Sequence, residues 1–573
     1  MNSRIQLYPD CLRRIFEYIV DSSEYLHITH KNLYSCILVN KLFFQNAIPI
    51  LWRNPWNPNS NKSKNNYNKK LSIARTILSC LLQYHREQQQ DKNLTDIFGL
   101  ISFENPMKDP IFDYVSYCRH INCLDIENVT RMLIENKREL NVIFDKKHEE
   151  NIGYILFEEI WRLFMKKCNN IEYLKLPQNI NISILPGSQQ CLRWLNELEC
   201  VVGNEMNQSI NKNFIGLANI CHNLTKIRIN PLDKDDRGLA TLIKAQNNLE
   251  EIHLFTNQHV ENLRFINQAL STKSNSLEIL SFKGNFYFSS QNSFLSSLHN
   301  LKQLHIKFAT YSNINCLLNL TVLPKLEFFV IHLNYYSFEI SLDCFSKLIS
   351  TTKGLLRKFE IINATRPPSK IIGLQLFIQS IINHCPLINH LKIWYISDLL
   401  NDFKQLLISA EYLNSIEFDF LKVQNDENYD YNMERELQTK SLLDALIAWS
   451  SINLNYLYLS NLWWLLPHEL SYFLELWKPR NIKLTLKIKD NEKEDLHPYL
   501  VVIDKFIKDD VLTVDSVNES EIFFIKFTLP LQHITLFHDV VEEFAIASPP
   551  ELSPIAFVAD DVVVFSFTFV FKF

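Results

Sequence analysis

Leu249-Glu250-Glu251-Ile252-His253-Leu254, Leu277-Glu278-Ile279-Leu280-Ser281-Phe282 and Leu301-Lys302-Gln303-Leu304-His305-Ile306 share one pattern, apolar-x-x-apolar-x-apolar. Moving outward, the same pattern occurs at Ile171…Leu174…Leu176, Leu195…Leu198…Cys200 and Leu224…Ile227…Ile229. It continues at Leu326…Phe329…Ile331, Leu356…Phe359…Ile361, Ile388…Leu391…Ile393, Leu413…Ile416…Phe418 and Leu454…Leu457…Leu459. The eleven first positions are 24, 29, 25, 28, 24, 25, 30, 32, 25 and 41 residues apart. Self-similarity at such a period is the mark of stacked repeats, each unable to bury its apolar face alone. The alternation inside each copy predicts a short strand with one buried face. Segments between copies, such as Gly238–Gln246 and Ser441–Trp449, read as helices. The fold class is therefore α/β: a curved parallel sheet with outer helices.

The spacing and the leucines resemble the leucine-rich repeats, in a degenerate form over residues 168–490. Asn179, Asn257, Asn285 and Asn334 follow a copy after two intervening residues, where an amide suits a buried turn. Cys168, Cys221 and Cys385 lead into three strands, as in the cysteine-containing repeats common in F-box proteins. Residues that flank the buried positions are expected on the concave face. They include Lys226 and Arg228, Glu251 and His253, Gln303 and His305, and Lys358 and Glu360, with Lys283 and Lys307 extending the rows. Lys283, Lys307, His390, Lys392, Trp394, Tyr456 and Tyr458 are the candidate substrate-binding residues. Their mildly basic and aromatic character suits an acidic or phosphorylated peptide.

The first fifty residues have another texture. Pro9 opens an apolar stripe of Leu12, Ile15, Phe16 and Ile19 at helical spacing. Periodicity resumes at Leu33, Cys36, Ile37, Val39 and Asn40, then Phe43, Phe44, Ala47, Ile48, Leu51 and Trp52. Three short helices follow from this, too few to bury all their apolar surface. The run Leu7-Tyr8-Pro9-Asp10-Cys11-Leu12-Arg13-Arg14-Ile15-Phe16, the segment Leu33–Lys41 and the ending Ile48-Pro49-Ile50-Leu51-Trp52 resemble an F-box. Tyr8 separates Leu7 from Pro9, and Phe43 stands where the family usually has tryptophan. The resemblance implies a non-catalytic adaptor that docks on a Skp1-like protein, and through it on a cullin, while the repeats hold a protein substrate for ubiquitination. Pro9, Leu12, Ile15, Phe16, Leu33, Val39, Phe43 and Trp52 are the implied partner-binding residues. A leucine-rich scaffold with a non-degradative pairing is the alternative.

Composition narrows the remaining classes. Only nine glycines occur in 573 residues, none clustered, which removes glycine-built phosphate loops and the nucleophile elbow. Twelve cysteines include no C-x-x-C pair, and His27-Ile28-Thr29-His30 lacks the glutamate of H-E-x-x-H. No catalytic, metal or cofactor-binding residue is assigned, and no cofactor is expected. Cys11 and Cys36 read as core thiols. A formal charge of −5 and no long apolar run argue against nucleic-acid and membrane partners, leaving a cytoplasmic or nuclear setting. The expected order is an F-box over 1–56, a polar linker over 57–70 and a helical connector over 71–167. The repeats over 168–490 follow, and then a cap or tail over 491–573. The acidic insert 425–430 reads as a surface loop, 547–554 as a linker, and Val562–Phe573 as a β-prone cap on the last strand.

Overall fold

The structure is a computed structural model. It describes residues 8–21, 33–56, 64–88, 101–103, 108–140, 142–144, 151–201, 208–260, 263–288, 294–309, 311–319, 321–333, 339–363, 370–420, 431–459, 466–488, 497–509, 511–512, 556–559 and 562–565. The chain divides into two compact units. One comprises residues 1–414, 420–429 and 449–451; the other comprises 415–419, 430–448 and 452–573.

The first unit is α/β. Its main sheet holds β1 (His120–Asn122), β2 (Tyr173–Leu176), β3 (Glu197–Val201), β4 (Lys226–Asn230), β5 (Glu251–Phe255), β6 (Ile279–Lys283), β7 (Gln303–Ala309), β8 (Phe328–Leu333), β9 (Lys358–Asn363) and β10 (His390–Tyr395). These strands lie side by side in chain order, every neighbouring pair parallel. The register aligns the middle motif positions: Leu174, Leu198, Ile227, Ile252, Leu280, Leu304, Phe329, Phe359 and Leu391 form one continuous row. All of them are buried. Helices Gln208–Ile220, Arg237–Ala245, Arg264–Ser271, Asp343–Ser350, Leu374–His384 and Leu400–Ser409 connect successive strands and cover this face. Phe345 and Phe377, from two of them, set their rings 6.2 and 5.1 Å from Phe359. The helix ends are fixed locally: buried Asp236 accepts from Leu239 N at 2.8 Å and caps Arg237–Ala245.

One hydrogen-bond pattern runs along the sheet edge. The carbonyl of the residue just before or at each strand start accepts from two consecutive amides of the next repeat. Arg119 serves Glu172 and Tyr173; Glu172 serves Asn196 and Glu197; Asn196 serves Thr225 and Lys226; Thr225 serves Glu250 and Glu251. Glu250, Glu278, Lys302, Glu327 and Arg357 continue the series. At the front, the Arg53 carbonyl takes the same place, accepting from Arg119 and His120.

Three features differ from the sequence reading. The sheet begins at His120–Asn122, within the stretch read as mainly helical, because a three-residue strand shows no period. The helix expected from Leu71 begins at Lys64 and runs to Glu87, taking in seven residues read as linker. Polar residues prolong a helix readily once its apolar core has nucleated it, and Tyr67 Oη donates to Asn136. Finally, Asn179, Asn257 and Asn285 are exposed rather than buried in turns, and Asn334 lies outside the described residues. Other amides do the internal work: Asn213 bonds the amide of Ile182 at 2.9 Å and the carbonyl of Ile180 at 2.8 Å. Gln246 likewise accepts from Leu224 N and donates to the carbonyls of Cys221 and Leu242.

At the amino terminus, helices Pro9–Asp21 and Lys41–Leu51 and a short helix over 33–37 enclose a small core of Leu12, Phe16, Leu33, Ala47 and Ile50. Phe43 meets Phe16 edge-on at 5.5 Å. Asn40 caps the last of these helices by accepting from Phe43 N at 2.9 Å. Trp52 packs on Tyr114 at 4.9 Å, and Trp56 Nε1 donates to the His120 carbonyl at 3.0 Å. The module is thereby tied to the start of the sheet.

The second unit contains three parallel strands, Ser415–Phe420, Tyr456–Leu459 and Thr485–Ile488, with helices Tyr431–Trp449, Pro467–Trp477 and His497–Lys508. Arg480 stacks on Trp477 at 4.2 Å and donates to the carbonyls of Leu446 and Ile447. Ala556–Ala559 and Val562–Phe565 pair antiparallel with each other in a two-stranded sheet of their own. The stretches 425–430, 547–554 and 566–573 lie outside the described residues. No described helix is long and apolar enough to cross a membrane.

Candidate functional site

Two surfaces of the first unit carry all the candidate residues but Tyr456 and Tyr458. On the amino-terminal module, Leu12, Phe16 and Leu33 turn inward and form its own core. Phe43 and Trp52 are half-buried against it and against Tyr114. Pro9, Ile15 and Val39 stay exposed, and the structure adds Tyr18, Tyr34 and Leu38, the last 72% exposed. Cys11, Ile15 and Tyr18 follow one another at i, i+4 and i+7, so they share a single helix stripe. This corrects the implied docking set: half of it is needed to hold the helices together. Cys11 is likewise exposed, not a core thiol.

The second surface is the open face of the main sheet, opposite the helices. Alternation places Tyr173, Lys175, Glu197, Glu199, Lys226, Arg228, Glu251 and His253 on it across β2–β5, each partly exposed between buried neighbours. These charges are matched. Glu199 lies 2.7 Å from Lys175 Nζ and accepts from Tyr173 Oη at 2.9 Å. Glu197 lies 3.6 Å from Arg228, and Glu251 contacts both Lys226 and His253. Burial raises the Glu199 and Glu251 carboxyls, but the hydrogen bonds from Lys175 and Tyr173, and from Lys226 and His253, outweigh it and hold both below the ordinary value.

Further along, the register sets Lys283 opposite Lys307 and Lys307 opposite His332. Lys283 Nζ sits 4.9 Å from the Phe255 ring centroid. Burial, and then the Lys307 and Lys392 charges, depress the His332 imidazole to about 4. His305 is depressed for the same reasons, burial first and Lys307 next. On β9, Glu360 is held at about 2: burial raises it, but His390 Nε2 at 2.8 Å and Lys358 Nζ at 2.6 Å prevail.

Of the sequence-predicted substrate residues, Lys283 is exposed and Lys307 and His390 are half-buried on this face. Lys392 and Trp394 are corrections, since both are buried, Trp394 to 1%. Every residue of β10 from Leu391 to Tyr395 is buried, the pattern of a strand covered on both faces, where alternation no longer predicts exposure. Tyr456 and Tyr458 are half-buried on the second unit. His332 was missed by the sequence reading, although it follows Lys307 by 25 residues, a common repeat step. The buried thiols are not poised for chemistry. Desolvation pushes Cys118, Cys191, Cys221 and Cys385 up to about 12. Cys168 and Cys221 instead donate to the carbonyls of Val115 and Leu192, tying neighbouring repeats. His27 and His30 lie outside the described residues.

No protein-family model matches the chain, and no curated protein matches it.

Proposed function

We propose that this chain is a substrate-recognition adaptor of a Skp1–cullin–F-box ubiquitin ligase. Its amino-terminal helices dock on a Skp1-like partner, and its leucine-rich-repeat sheet receives a protein substrate. The observation that carries the reading is the amino-terminal module itself. Its small core is closed by Leu12, Phe16 and Leu33, yet Ile15, Tyr18, Tyr34, Leu38 and Val39 remain outside it. Apolar side chains at helical spacing on a module this short suit helix-in-groove recognition, with aromatic and leucine anchors supplying most of the affinity. The F-box resemblance points to the partner, and the aligned open face supplies a broad surface for a second protein. The adaptor performs no bond chemistry; it acts by holding its substrate near the ubiquitin-loaded enzyme.

The test is capture of Skp1 and a cullin by the tagged full chain. Ile15→Asp combined with Leu38→Asp is expected to reduce capture at least tenfold while thermal unfolding stays unchanged. Undiminished capture by the folded variant would overturn the docking surface. Leu12→Ala is unsuitable, because it opens the core and confounds docking with folding.

A further inference from the structure

We draw no further inference here: the strongest candidate, the buried side-chain pair of His85 and Glu159 between helices Lys64–Glu87 and Ile152–Lys167, rests only on the shifted titration of the two groups.

Discussion

Strands β2–β5 and strands β6–β8 are alike on one side and unlike on the other. On the helix-covered side both present a row of buried aliphatic and aromatic residues in register, from Leu174 to Phe329. On the open side, β2–β5 pair each cation with a carboxylate across neighbouring strands, while β6–β8 bring two lysines and two depressed histidines together. The contrast shows how a repeat fold divides its labour. The stacking face must be uniform for the units to stack, so only the opposite face is free to differ from one unit to the next.

The largest expected effect tests the shared side. Ile227→Ala on β4 and Leu280→Ala on β6 should each destabilise by about 2–5 kcal/mol, measured by denaturant unfolding, because both leave cavities in one continuous row. A large difference between them would break the equivalence of the two regions. Next in size is Glu360, on β9 at the far border of the lysine-bearing stretch. Its folded-state value is depressed from 4.5 to about 2, so its contribution is fully present above the unfolded value. The contribution is lost as pH falls from about 5 towards 2, and it is on the order of 3 kcal/mol. Glu360→Gln should therefore flatten the acid limb of the stability profile, and an unchanged limb would remove that role.

A pair of charge reversals sharpens the comparison directly. Lys226→Glu, in the paired region, sets a new carboxylate against Glu251 and should destabilise by about 1 kcal/mol. Lys307→Glu, between Lys283 and His332, should stabilise by a few tenths of a kcal/mol. Equal signs would mean that the two regions do not differ as described. The smallest effect is spectroscopic. Lys307→Glu relieves one of the charges that depress His332, so its imidazole should titrate above its present value of about 4, read from its carbon-bound proton shifts by NMR.

Much of this was legible in the chain because a repeat announces itself many times over. A single Leu-x-x-Leu-x-Leu is weak, but Leu280, Leu304 and Phe329 at steps of 24 and 25 residues define both a strand and its register, and hence which side chains meet across strands. Lys283 beside Lys307 follows from the same count. What stayed hidden depends on partners that periodicity does not encode. His120–Asn122 is too short to alternate, and it is recognised as a strand only through its pairing with β2. Lys392 and Trp394 keep the parity of exposed residues but lie in a strand covered on both faces. On the front helices the spacing identified the apolar residues correctly, yet it could not separate Phe16, which the module uses internally, from Ile15, which it leaves outside.

The shared carbonyls along the sheet edge have a metrical consequence. From Arg53 to Lys302 there are seven steps, each set by a backbone carbonyl clasping two amides of the next repeat. At about 4.8 Å per step, the path from the end of the front helices to the lysine-bearing strands is on the order of 34 Å. The chain thus works as a ruler graduated in repeats. Deleting or inserting one unit would move the lysine-bearing strands by one graduation, about 5 Å, relative to the front helices, without altering either end.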